Sequence, residues 1–450
     1  MDEERKVGET TGAGTREKTE TVPKKKSKAP RRALMIGMIC AIALGAFGAG
    51  FGVSRLALDP EIRSLVRLKN RIQTSYYEEV TDDEFYGLLF QSVNEKLLDK
   101  YSGYLTSDEY KAVRQQAKGK QEGIGLVFST TGEEMRVVRV CGNSPAEEAG
   151  IVAGEYILAF GKTQAELTES TLFDEFTAFL EDFEAGEDFC VKVKDNAGQT
   201  RLVTLAKASY TENYVFYRTK TGSYRFTGKD ADEPTQAGLP LACLSEDTAY
   251  IGLTQFNGSA GEEFAGAMEL FRAQGKKDLV LDLRGNGGGY LDIMLEIARY
   301  FCKSATNDEP LAAIADYGEY TQEFFAEGNE YYQYFSSDSR ICVLADDQTA
   351  SASECLIGCM VDYGAIGYED ICLCERDGNA KTYGKGIMQT TYPLWGLLGD
   401  AVKLTTARIC WPSGKCIHGV GVRVEDGAKR TAENADRDGE AETAIQTLYS

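Results

Sequence analysis

Histidine is nearly missing from this chain: one residue, His418, in 450. Any mechanism that needs two imidazoles is excluded, and a Ser-His-Asp triad would have to be built on that one side chain. Basic charge is also scarce. The 49 Lys/Arg face 70 Asp/Glu, a formal net charge of -21. Residues 1–32 hold ten basic and six acidic side chains, leaving 39 basic and 64 acidic for the remainder. Nucleic acid is therefore not a partner of the main body, because phosphate neutralisation needs concentrated Lys/Arg. The length and an apolar share of 43% predict two or three domains with a sizeable core, and exclude a disordered tail or a disulfide-stapled miniprotein.

What is present begins with a membrane signal. Ala33 to Ser54 is a run of 22 residues without a charge, which as a helix would extend about 33 Å, enough for a hydrocarbon core of ~30 Å. Lys24, Lys25, Lys26, Lys28, Arg31 and Arg32 precede it, so the positive-inside bias places residues 1–32 in the cytoplasm and residues 55–450 outside. A cleaved signal peptide, cut near Gly48, Ala49 and Gly50, is the competing reading, although its apolar region is usually only ~7 to 15 residues long. Gly37, Ala41, Gly45 and Ala49 recur every fourth residue. Such spacing would let two helices approach closely and support a homo-oligomer, or the run is merely rich in Ala and Gly.

Eleven of the twelve cysteines follow the anchor. Export favours disulfides, yet the number is odd and the spacings irregular. Cys355, Cys359, Cys372 and Cys374 match no zinc pattern, so no metal site is assigned, and small buried apolar thiols are the plainer account. A Cys410–Cys416 bridge stays open.

The exported part divides into three blocks. Residues 55–118 are polar with helical periodicity at Phe85, Leu88, Leu89, Val93, Leu97 and Leu98. Residues 119–208 alternate β-like runs (Met135–Val140, Cys190–Val193, Arg201–Leu205) with turns and a helix from Thr171 that aligns Phe173, Phe176, Leu180 and Phe183. Residues 209–450 read strand, helix, strand: Tyr250–Leu253, Ala260–Gln274, Leu279–Leu283, and later Ile341–Ala345 leading into an apolar helix. The expected class is α/β (α+β) multidomain, with strand ends presenting functional loops.

Three features of the last block could carry chemistry. Ser351 stands at a strand-to-helix turn among small residues; it is either a nucleophile awaiting a base or a helix N-cap. Lys385 lies between Gly384 and Gly386, and burial would remove its proton. Lowering its pKa from about 10.4 to near 7 takes roughly 4 to 5 kcal/mol. Gln389, four positions on, could orient the amine without adding negative charge, although a surface loop with an ordinary lysine is also compatible. Asp282-Leu283-Arg284-Gly285-Asn286-Gly287-Gly288-Gly289 can turn backbone N–H groups toward one point. Lacking the GKS/T ending, it suits an oxyanion hole better than a phosphate loop.

Taken in order, these residues resemble the carboxyl-terminal processing peptidases, S41-family serine proteases with a Ser-Lys dyad and an embedded PDZ domain. The resemblance covers roughly residues 65 to 430. It rests on Tyr77-Glu78-Glu79-Val80, Asp99 to Leu105, Gly123-Ile124-Gly125-Leu126, Ser144-Pro145-Ala146 with Ala149-Gly150-Ile151, and the Asp282 motif. It continues through Ser351-Ala352-Ser353-Glu354, Gly384-Lys385-Gly386 with Gln389, and Leu404 to Ala407 through Pro412-Ser413-Gly414 to Gly421-Val422.

The resemblance implies Ser351 as nucleophile, Lys385 as general base, Gln389 as the residue that positions it, and the N–H groups of Gly288 and Ala352 as the oxyanion hole. It further implies a PDZ domain over 119–208, with Gly123, Ile124, Gly125 and Leu126 capturing a C-terminal carboxylate and the Phe173/Phe176 helix as the other groove wall. The substrate would be a protein or peptide with an apolar C-terminus, and neither cofactor nor metal is implied. A binding module that holds tails without cutting them, a pseudoprotease, is the alternative.

The chain departs from the family pattern in three places. Gly287 replaces a common proline, Glu155 stands where aspartate is usual, and Ser351 and Lys385 are 34 positions apart, with Ile371–Ala380 read as an inserted surface excursion.

Overall fold

The computed structural model describes residues 59–449 apart from 129–134, 153, 196, 228–229, 233–239, 307, 377, 395–398 and 435–436. The expected anchor at 33–54 and the basic tail lie outside the described residues. Among those described, no helix is long and apolar enough to cross a membrane. The chain forms two compact units, divided between Leu89 and Phe90.

In the first unit, the helix Pro60–Ser75 starts where it should: the Asp59 side chain caps the Glu61 N–H and Pro60 occupies the first turn, where its missing N–H costs nothing. None of its residues is fully buried.

In the second unit, residues 126–206 build a six-stranded antiparallel sheet. The strands Leu126–Phe128, Met135–Val140, Tyr156–Gly161, Asp188–Lys194 and Thr200–Ala206 follow one another across it. Alternation along Asp188–Lys194 sends Phe189, Val191 and Val193 inward, where they meet Ile157, Phe160, Phe176 and Leu205 in a core of their own. The helix begins at Phe173 rather than Thr171, and Ser170 binds both the Leu172 N–H and the Glu175 carboxylate ahead of it. Glu155 pairs with Arg201 across this block.

The remainder is organised by an eight-stranded sheet. Its centre runs Thr248–Leu253, Asp278–Asp282, Ile341–Ala345, Ile371–Cys374 and Lys429–Thr431, all parallel. Ile341–Ala345 and Ile371–Cys374 read as continuous apolar runs because both faces are covered, whereas Lys429–Thr431 is the polar edge strand. On one face, the helices Ala260–Ala273, Leu291–Ala298 and Ala352–Asp362 complete the largest core. On the other, Ala441, Ala444, Ile445 and Leu448 of the helix Arg437–Tyr449 pack on Val280, Cys342, Leu344, Cys372 and Cys374.

The stretch expected as an inserted surface excursion is not one at its start. Ile371–Cys374 is an interior strand with all four residues buried, because four consecutive apolar side chains suit a strand covered on both faces. All eleven described cysteines are free thiols, nine of them buried, and no described group of side chains could hold a metal.

A second, antiparallel sheet carries Ile387–Pro393 against the long strand Ala401–Cys410, which also pairs with Gly103–Leu105 and Leu311–Asp316.

Candidate active site

The parallel strands end on one side, and the loops that follow Leu253, Asp282 and Ala345 meet there, as open α/β sheets place their ligand crevices. Ser351 follows the third. Its backbone has φ 58° and ψ -115°, a conformation costly for a side-chain-bearing residue, and it serves as N-cap of the helix Ala352–Asp362. Nucleophile and cap, the two readings of this serine, are thus compatible: a strained strand-to-helix turn is how a hydroxyl is held clear of the chain.

The glycine loop lies directly against this turn. Gly288 has φ 99°, and a Cβ placed there would come within 2.7 Å of the Ser351 Cβ and 2.9 Å of the Ala352 nitrogen. Only glycine lets the two loops approach so closely. Asn286 binds them together. Its carbonyl accepts the Ala350 N–H (3.0 Å) and the Ser353 hydroxyl (2.9 Å), and its side chain donates to the Leu253 carbonyl (2.8 Å). The Gly288 N–H donates to Asn286 Oδ1 at 2.9 Å, so this expected oxyanion donor is engaged inside its own loop. Gly289, by contrast, packs its Cα against the Phe256 carbonyl.

Behind the loop, Arg284 joins Asp282 (2.7 Å) to Glu440 of the last helix (2.6 Å). Burial pushes the Asp282 carboxyl up, but the adjacent Arg284 guanidinium outweighs it and holds the pKa down at about 2.

The sequence reading gave Glu354 no role, yet it sits at the centre of this site's hydrogen bonds. It is fully buried. One carboxylate oxygen, Oε2, accepts the N–H of Ser351 at 3.0 Å and the N–H of Lys385 at 2.9 Å; the other, Oε1, accepts the Thr382 hydroxyl (2.5 Å) and the Gly384 N–H (2.8 Å). Residues 34 positions apart in sequence are thereby tied through one atom. The signal was available: Ser351-x-x-Glu354 before an apolar run is capping-box spacing. Burial raises the Glu354 pKa, opposed by the Thr382 hydroxyl and by the N–H groups of Gly384, Lys385 and Ser351.

Lys385 is half-buried. Desolvation lowers its pKa below 10.5, Lys403 adds to the depression, and Tyr383 opposes it. Its Nζ lies over the Tyr101 ring, 5.3 Å from the centroid. Gln389 follows a register shift in the Ile387–Pro393 strand, a device that re-aims side chains, and its amide donates to the Tyr101 carbonyl. Tyr101 therefore meets both the expected base and its expected orienter.

In the 119–208 block, Gly125 has φ 79° with no room for a Cβ beside Ser144. The Ile124 and Gly125 carbonyls accept from Ala146 and Cys141. Gly123 ends a short strand paired with Ala208–Thr211, and Leu126 begins the next. Phe176 is wholly buried against Phe128 and Phe160, so it is core and not groove wall. Phe173, 53% exposed and 5.7 Å from the Phe128 ring, is the helix phenylalanine that presents surface.

A strained serine turn, a glycine loop pressed against it and a partly desolvated lysine meet at the ends of the parallel strands, an arrangement compatible with hydrolytic chemistry. Residues 247–425 match the model of Peptidase family S41. It is 27% identical over 329 residues to the chloroplastic C-terminal processing peptidase of Tetradesmus obliquus, covering 72% of this chain and 64% of that protein. It is also 25% identical over 354 residues to the carboxy-terminal processing protease CtpB of Bacillus subtilis, covering 78% and 64%. The chain thus spans 64% of the length of these curated relatives. Among solved structures, a putative S41 protease from Bacteroides fragilis shares the fold with a TM-score of 0.50 at 16% identity, over 83% of this chain and 89% of that one.

Proposed function

We propose that the chain is a membrane-anchored, extracytoplasmic serine endopeptidase that processes or degrades proteins from their C-termini. The observation that carries this reading is the shared acceptor: Glu354 Oε2 receives the N–H groups of Ser351 and Lys385 and so fixes nucleophile and base relative to each other. Lys385, whose pKa desolvation lowers, takes the Ser351 proton in its neutral form as Oγ attacks the scissile carbonyl. The Ala352 N–H, at the first helical position, has no intrahelical acceptor and lies at the positive end of the helix dipole, where a developing oxyanion is stabilised. Gly288 joins it when its N–H exchanges Asn286 Oδ1 for that oxygen, and Gln389 orients Lys385 after leaving the Tyr101 carbonyl. The acyl-enzyme is then hydrolysed by water activated by the same lysine.

Residues 119–208 act as a PDZ-like selector. The Gly123–Leu126 loop receives the terminal carboxylate and Phe173 lines the groove for an extended tail.

The test is cleavage of an unstructured protein with an apolar C-terminus. Ser351→Ala and Lys385→Ala should each lose at least ~10³-fold in kcat/KM, as removal of one member of a unit-acting set does. Equal cleavage by wild type and either variant excludes the dyad; tail binding without cleavage by wild type establishes a pseudoprotease.

A further inference from the structure

The hairpin that backs the Lys385 loop carries two cysteines in an arrangement the peptidase chemistry does not use. Cys410 ends the long strand Ala401–Cys410, and Cys416 faces it across an isolated antiparallel bridge. Between them, the Trp411 N–H donates to the Lys415 carbonyl (2.9 Å) and the Gly414 N–H to the Trp411 carbonyl (2.9 Å). Gly414 has φ 83°, and Pro412 follows the first turn residue. This is a three-residue hairpin loop closed by the Trp411/Lys415 hydrogen-bonded pair. Pairs alternate along an antiparallel ladder, so Cys410/Cys416 is the next, non-hydrogen-bonded pair, in which Cα atoms are only ~4.5 Å apart and side chains lie closest. That falls within the Cα separation a disulfide spans. The two thiols already interact side chain to side chain. Cys416 is half-exposed, whereas Cys410 is 9% exposed. The other interacting cysteine pairs, Cys302 with Cys359 and Cys372 with Cys374, are buried on both sides.

We propose that Cys410 and Cys416 form a disulfide by exchange with an external disulfide, either a small-molecule one or that of a thiol-disulfide oxidant protein. The Cys416 thiolate attacks a sulfur of the oxidant, forming a mixed disulfide and releasing one thiolate. The Cys410 thiolate then attacks the Cys416 sulfur, forming the intrachain S–S bond and releasing the second. The oxidant gains two electrons and leaves as two thiols, carrying the two protons given up by the cysteines. The bond closes the hairpin at its mouth.

Both arms of that hairpin hold the Lys385 loop. Ile409 donates to the Gly386 carbonyl (3.1 Å), Gly419 donates to the Gly384 carbonyl (2.8 Å), and a Cβ on Gly386 would lie 2.7 Å from the His418 nitrogen. The cross-link therefore braces the segment that positions Lys385, a consequence that rests on the peptidase reading.

The full chain is incubated with oxidised glutathione, its remaining thiols are alkylated, and it is digested with trypsin. Cleavage after Arg408, Lys415 and Arg423 separates the cysteines, so a disulfide joins peptide 409–415 to peptide 416–423 as one reducible species, at the combined mass less two hydrogens. That species should appear in wild type and in Cys243→Ser and be absent from Cys416→Ser and Cys410→Ser. Glutathione retained on Cys416, or both peptides recovered separately alkylated, overturns the proposal. Oxidised wild type should also lose cleavage activity on warming several-fold more slowly than Cys416→Ser; equal half-lives overturn the brace. Absence of all peptidase activity would sink the functional reading while leaving the linked peptide as evidence for the bond.

Discussion

The proposed nucleophile and base arrive from two differently built regions. Ser351 belongs to the parallel sheet, and its turn is held by short-range main-chain geometry plus the Asn286 carbonyl and the Thr349 hydroxyl, which donates to the Leu283 carbonyl at 2.8 Å. Lys385 belongs to a loop entering the antiparallel sheet, and it is held by Glu354 from one side, by the 409–421 hairpin from another and by the Tyr101 ring against its Nζ. The first region is fixed where two loops interlock at a glycine contact, the second by one carboxylate, a hairpin and an aromatic ring. Damage to the first should therefore act on chemistry and fold together. Damage to the second should act on the protonation and placement of one amine.

The largest effect is expected at the interlock. Gly288→Ala adds a methyl group 2.7 Å from the Ser351 Cβ at φ 99°, whereas a Cβ on the neighbouring Gly287 meets nothing within 4 Å. Gly288→Ala should lower kcat/KM by ~100-fold or more, the scale of losing one oxyanion donor, and reduce the Tm. Gly287→Ala should leave both close to wild type. Similar values for the two variants would show that the interlock does not matter.

Next comes the node that joins the regions. Glu354→Gln keeps the shape but turns an amide NH2 toward one of the two donor pairs. A buried donor left without its acceptor costs ~1–3 kcal/mol, so kcat/KM should fall roughly 10- to 100-fold with the circular dichroism spectrum retained. Wild-type kinetics would remove Glu354 from its positioning role.

The mildest effect is on pH dependence. Desolvation lowers the Lys385 pKa below 10.5 in the folded protein, and in the proposed mechanism the neutral amine is the active form. The kcat/KM should rise with pH and level off through an apparent pKa under 10.5. Stability carries the same sign. Between the folded value and 10.5 the unfolded chain binds more protons, so the contribution of Lys385 to stability increases with pH across that window and is lost as pH falls through the folded pKa. Lys385→Met should flatten that increment in urea midpoints measured across the window; an unchanged slope would show that the lysine is not desolvated.

Much of this was legible beforehand because it is local. Apolar runs marked Ile341–Ala345 to the residue and Thr248–Leu253 to within two, and the Ser351 turn followed from small residues between strand and helix. The helix starting at Phe173 was readable from its phenylalanine spacing, but that spacing could not separate Phe176 in the core from Phe173 at the surface, since both lie on the apolar side. The strand Ile371–Cys374 was missed because four apolar residues beside a lengthened linker look like an insertion until two flanking strands accept their hydrogen bonds. Tyr101 was invisible as a neighbour of Lys385, since nothing local relates positions 284 residues apart.

The sequence by itself determined which chemistry is available. One histidine excludes schemes that need two imidazoles, and the glycine, serine and lysine motifs name the groups, because residue type and local turn propensity are written in a few adjacent positions. Only the tertiary structure decided how those groups meet: that Glu354 joins Ser351 to Lys385, that Gly288 alone fits beneath the serine turn, and that Cys410 and Cys416 face each other. The Glu354–Lys385 and Gly288–Ser351 contacts join segments whose separation along the chain carries no information about distance, and close packing around buried polar atoms selects them.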